Sequence, residues 1–153
     1  MLKKLSLALT RPSDFGPRMQ VSSCYITCKG RLLLLQNAPC KRFSGSYGVP
    51  AGKLEPLETP LAAVLRETFE ETGLLIDSRE LHYHTTFFVH YYDLDFIYYV
   101  FVLELDTPPK HISLRPKEHS THLWVSPQEA LFLPLMPLAK ECLLHIYGED
   151  LIF

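Results

Sequence analysis

No stretch of this chain approaches the ~20 consecutive apolar residues that a membrane-spanning helix needs. Basic residues are not in excess either: 15 Lys and Arg stand against 17 Asp and Glu, for a net charge of -2. That balance excludes the cationic footprint of a general nucleic-acid binder and argues against a membrane-surface role. An anionic substrate must then be drawn mainly by bound cations. The four cysteines, Cys24, Cys28, Cys40 and Cys142, form no C-x-x-C pair and show no zinc-site spacing. Reduced thiols and a cytoplasmic location are expected. The opening MLKKLSLALTRP imitates a secretory leader, but its apolar run from Leu5 to Leu9 is too short and stops at Arg11–Pro12. No internal repeat, low-complexity tract or dividing linker interrupts the chain.

What is there suits one domain over residues 1–153, with 47% hydrophobic and 21% charged residues. Met19–Cys28 and Leu32–Leu35 read as a hairpin turning at Lys29–Gly30. Two long strands rich in aromatics are expected at about 81–90 and 94–105, joined near Tyr92–Asp93, and a short one at His122–Val125. Ser126-Pro127-Gln128-Glu129 is a capping box with proline at the first helical position. A final helix is expected from about Pro137 to Tyr147. Strands outnumber helices in mixed order, which predicts an α/β domain with a mixed central sheet between helices.

The most informative stretch is Gly52–Leu74. Glu67, Glu70 and Glu71 stand at i, i+3 and i+4, so one helix face carries all three carboxylates. Like charges so placed weaken a helix unless they hold a cation, and oxygen ligands suit Mg2+ or Mn2+. Thr59 is an N-cap, Pro60 fits the first helical position, and Gly73 ends the helix left-handed with Leu74 folding back towards Phe69. Leu61, Leu65, Thr68, Phe69 and Thr72 are expected to form the packing face. Arg66 precedes Glu70 by four residues and can pair with it.

Gly52, Glu58, Arg66–Glu67, Glu70–Glu71 and Gly73 stand at the spacing G-x5-E-x7-R-E-U-x-E-E-x-G-U, where U is bulky and apolar. This resembles the Nudix box, with all seven fixed identities present, Leu74 at the last U and Thr68 as the one departure. Chance produces such a match on the order of once in a hundred million starting positions. The resemblance implies a Nudix-like α/β/α sandwich. It also implies an Mg2+-dependent (or Mn2+-dependent) pyrophosphohydrolase cleaving the phosphoanhydride bond of a nucleoside diphosphate linked to X. The metal ligands expected from it are Glu67, Glu70, Glu71 and the Gly52 backbone carbonyl, with Glu58 in an outer role and Arg66 orienting the carboxylates. Lys53 is a candidate phosphate contact.

The general base is either a box glutamate or Glu118, six residues before Trp124, a spacing similar to that of the mutator-type members. Glu104, Asp93 and Asp95 are weaker candidates, the two aspartates suiting a turn. His119 and His122 flank Glu118 and are candidates for substrate contact. Tyr91 or Tyr92 could stack on a base. Lys41 and Arg42 read as a solvated loop rather than a phosphate grip, and His82 and His84 as surface positions. The expected substrate is a small nucleotide, foremost a nucleoside triphosphate. Dinucleoside polyphosphates come next, then ADP-ribose, whose proline marker would fall at Val89. The reading from another class is a non-catalytic nucleotide-binding regulator on the same scaffold. A homodimer is possible on the same resemblance.

Overall fold

The structure is a computed structural model in which residues 4–92 and 94–151 are described. Asp93, expected at a turn, lies outside the described residues. β2 (Pro17–Cys28) and β3 (Arg31–Asn37) form the expected hairpin, with Thr27 opposite Leu32 and Cys28 opposite Arg31. Lys29 and Gly30 both have positive φ, 51° and 77°. Two such residues in succession give the turn whose twist matches its flanking strands.

β7 (Leu94–Leu105) runs parallel to β2 along nearly its whole length, and β6 (His82–Tyr91) pairs antiparallel with β7. The edge strand β1 (Ser6–Ala8) lies on β6. The order is β1-β6-β7-β2-β3-β4, with β4 at Tyr47–Gly48. β5 (Ala51–Lys53) pairs with β2, and β8 (His119–Val125) pairs with β3. One parallel pair among antiparallel ones makes the sheet mixed, as expected.

Alternation along the strands divides the core between two faces. Cys24, Ile26, Leu33 and Leu35 face one cluster with Val64 of α1 (Pro60–Thr72). Tyr25, Leu32 and Leu34 face the other with Cys142 and Leu143 of α3 (Ala139–Tyr147). The unbroken Leu32–Leu35 run follows from burial on both faces. Helices on both sides of the sheet make the α/β/α sandwich. Among the described residues no helix is long and apolar enough to cross a membrane.

Several local expectations change. α1 does not pack through Leu61 and Phe69, which are 40% and 49% exposed. Its buried stripe is Ala63, Val64, Thr68, Glu71 and Thr72. The helix is rotated so that one carboxylate points inward with the packing residues. Leu74 packs on the cluster around Cys24 and Val64, of which Phe69 is not a part. α2 is only Pro127–Ala130, although its capping box forms as read. α3 begins at Ala139 rather than Pro137, after Leu138 at φ 68°. β8 starts three residues earlier than expected, which places Glu118 directly at its mouth.

Candidate active site

The carboxylate helix is fixed at both ends. The Thr59 hydroxyl accepts from the Ala62 N–H at 3.1 Å, and the Ser22 hydroxyl of β2 donates to the Pro60 carbonyl at 2.9 Å. At the other end the Gly73 N–H, with φ 77°, returns to the Phe69 carbonyl at 2.8 Å. The Ser113 N–H caps the Thr72 carbonyl at 2.8 Å, drawing the 106–118 loop across the helix C-terminus towards the carboxylates.

Arg66 organises the acidic face. Its Nε and Nη2 donate to both Glu58 oxygens at 2.8 and 2.9 Å. Nη1 reaches Glu67 at 2.7 Å and Glu70 at 3.2 Å, and Nη2 also donates to the Lys53 carbonyl at 3.0 Å. The principal partner of Arg66 is therefore Glu58 rather than Glu70. The Glu55–Glu58 turn brings Glu58 back over the helix, with Leu57 at φ 67°. Hydrogen bonds from Arg66 hold Glu58 down at about 2, and the guanidinium is raised in return. A bidentate clamp fixes an arginine's plane, so the remaining N–H groups aim at fixed points.

Glu71 is 5% exposed and accepts from the Ala51 N–H at 3.1 Å. Burial first, then the neighbouring Glu67 and Glu118 charges, push its carboxyl well above the ordinary range, with the Ala51 N–H and, less, Lys41 opposing. Burial also raises Glu67 against the pull of Arg66. Glu67 lies flat against Gly52, where a Cβ would overlap its carboxyl carbon and both oxygens. Gly52 is thus required for close approach, not for its dihedral angles. Glu70, on the solvent side, also faces Arg115 at 3.8 Å.

Ligand atoms of Glu71, Glu118 and His119 lie within 4.8 Å of one another. The His119 Nδ1 is buried and has no hydrogen-bond partner among the described residues. Burial holds this imidazole below its usual range, with Glu118 opposing that shift. Crowded carboxyls raised by burial, a glycine cradle under one of them and an orphaned imidazole nitrogen together fit a divalent cation.

An apolar cavity of about 280 Å³ opens on the other face of the sheet. It is lined in part by Val49, Ala51, Tyr91, Tyr98, Met136 and Cys142. Ala51 joins the two features, since it lines the cavity and donates its N–H to Glu71. The polar groups at the cavity are few, and the Tyr25 and Tyr98 hydroxyls face each other at 3.4 Å.

The structure brings Gly52, Arg66, Glu67, Glu70, Glu71 and Glu118 together. Lys53 is exposed at the end of β5. Tyr91 lines the cavity, whereas Tyr92 stacks on Phe43 at 6.0 Å beneath the Arg42 guanidinium. Asp95 is buried on His90 at 2.6 Å and accepts the Gly16 N–H at 2.8 Å, so it ties down the N-terminal segment. Lys41, read as a solvated loop residue, acts on both Glu71 and His119. Lys41 and Arg115 carry no motif, and only the path of their loops places them here.

The raised Glu71 carboxyl has a stability consequence. Its contribution is present below about 4.5, the ordinary value, and is lost as pH rises through its higher folded value. In chelator, Tm is therefore expected to fall as pH goes from 5 to 8. At pH 8 the Glu71→Gln variant should melt a few degrees above the parent, at about 2–4 °C per kcal/mol. Differential scanning calorimetry checks both, and an unchanged or lower Tm for the variant would refute the burial argument.

A family model described as the NUDIX domain matches residues 16–146. The chain is 29% identical over 132 residues to a CTP pyrophosphohydrolase of Escherichia coli (strain K12), covering 78% of this chain and 84% of that one. Among solved structures, a MutT protein from Methanosarcina mazei Go1 superposes with a TM-score of 0.71 at 22% identity, covering 88% of this chain and 95% of that one. A C. elegans Ap4A hydrolase in a binary complex superposes with a TM-score of 0.67 at 21% identity, covering 86% and 96%. Likeness at these structural identities establishes the shared fold.

Proposed function

The chain belongs to the NUDIX family and is a hydrolase of phosphoanhydride bonds; from that premise we propose an Mg2+-dependent pyrophosphohydrolase of nucleoside triphosphates. The observation that carries this reading is the continuity of the carboxylate cluster with the apolar cavity through Ala51. Phosphates would lie on the charged side and the base on the apolar side. The CTP pyrophosphohydrolase similarity supports a nucleoside triphosphate as substrate.

Glu67, Glu70, Glu71 and the Gly52 carbonyl would hold the divalent cation, which when bound neutralises phosphate charge and lowers the pKa of an adjacent water. Arg66, clamped by Glu58, keeps Glu67 and Glu70 in fixed rotamers. Glu118 accepts the proton of the attacking water. The P–O bond opposite the attack breaks, and its oxygen leaves with the departing phosphate. Lys41, and Lys53 from the exposed end of β5, would meet phosphate oxygens outside the carboxylate ring.

A second reading, dinucleoside polyphosphates, draws on the aromatic group of Phe43, Tyr91 and Tyr92 beside the cavity. Phe43 and Tyr92 offer a second stacking surface next to the Tyr91 wall of the cavity, at roughly 1–3 kcal/mol per stacked base.

The test is a panel of CTP, UTP, ATP, GTP, diadenosine tetraphosphate and ADP-ribose with Mg2+. The triphosphates are expected to yield monophosphate and pyrophosphate. Their kcat/KM values should fall within about 200-fold of one another, because an apolar pocket discriminates by shape alone. Preference for the dinucleotide would favour the second reading. No turnover on any member would leave the regulator reading.

A further inference from the structure

We propose that His119 gives this centre a nitrogen ligand, so that the cation beside Glu71 and Glu118 is bound by a mixed nitrogen–oxygen set rather than by oxygens alone. This rests on the reading of the cluster as a divalent-cation site. The argument starts from the strand. Along β8 the register with β3 slips once: Gln36 faces Thr121, but Asn37 faces His119. Ser120 is therefore an extra residue, and its hydroxyl donates to the Gln36 side chain at 3.2 Å. A bulge of this kind re-aims the side chain beside it.

Ligand atoms of Glu118, in the turn that leads into β8, and of His119, the first residue of that strand, lie within 4.8 Å of Glu71 and of each other. The backbone on either side is held, with the Ala38 N–H on the Glu118 carbonyl at 2.9 Å and the Glu118 N–H on the Arg115 carbonyl at 2.9 Å. The His119 Nδ1 is buried without a hydrogen-bond partner among the described residues. A buried polar atom left without a partner is costly unless something coordinates it.

The choice of metal follows. Mg2+ prefers oxygen and gives up its water reluctantly, whereas an imidazole raises affinity for Mn2+, Co2+ and Zn2+. The site should therefore prefer Mn2+ over Mg2+ more strongly than the box carboxylates alone would.

The probe is Mn2+ bound to the tag-free protein without substrate, read by pulsed EPR. Modulation from a directly coordinated 14N nucleus is expected in the parent protein and absent in His119→Asn, which puts an amide close to the Nδ1 position. Calorimetric titration of the same two proteins should show the Mn2+/Mg2+ affinity ratio fall by at least about tenfold in the variant. His119→Ala provides a second variant should the asparagine disturb the bulge. Bound Mn2+ without 14N modulation in the parent protein overturns the inference while leaving the cation site intact. Absence of Mn2+ binding overturns both.

Discussion

Glu71→Gln is expected to lower kcat/KM for a nucleoside triphosphate by on the order of 10³, about 4 kcal/mol of transition-state stabilisation. The substitution keeps shape and keeps an oxygen for the Ala51 N–H, which sits 3.1 Å from the carboxylate. It removes only the charge, in a position 5% exposed where water cannot replace it. Loss of activity should therefore accompany unchanged circular dichroism and, in chelator, a melting temperature at or above that of the parent. Glu70→Gln should act in the same direction but less, about 10²-fold, because Glu70 faces solvent and already shares Arg66 and Arg115. Near-normal turnover in Glu71→Gln would remove this carboxylate from the chemistry. Glu118→Gln separates the proton acceptor from the ligands, and a small effect there moves that role into the box.

Gly52→Ala is expected to cost about 10²-fold in kcat, the usual result of displacing a reacting group by an ångström. The added methyl would occupy space now held by the Glu67 carboxyl, so that side chain must move away from the centre. Backbone strain plays no part, since Gly52 has no positive φ. The test is a double-mutant cycle. Glu67→Ala removes the group that the methyl strikes, so adding Gly52→Ala to it should change little, and the two losses should be far from additive. Additive losses would show that the methyl acts through something other than Glu67.

The cap at Thr59, the stop at Gly73 and the Lys29–Gly30 turn depend on neighbours in the chain, and each forms as read. So does the placing of Glu67, Glu70 and Glu71 along one helix. The rotation of that helix is not local. Leu61 and Phe69 look apolar enough to be buried, yet the sheet face built by Cys24, Ile26 and Leu33 accepts Val64 instead. The Glu58–Arg66 clamp needs the Glu55–Glu58 turn to fold back across the helix start, which no periodicity reports. Glu118 could be suspected from its spacing before Trp124. His119 reads from the sequence only as a flanking candidate for substrate contact, because its place beside Glu71 depends on where the turn before β8 and the slip at Ser120 set the strand. Lys41 and Arg115 reach the site only through the folding of their loops.

The central claim is that the carboxylates of α1, joined by the start of β8, form one cation-dependent hydrolytic centre. It is tested most directly by 31P NMR of CTP incubated with the protein, first with Mg2+ and then after excess chelator is added to the same tube. The expected result is growth of the CMP and pyrophosphate resonances with Mg2+, a halt on chelation, and resumption when Mn2+ is supplied. Hydrolysis that continues undiminished through chelation would contradict the account.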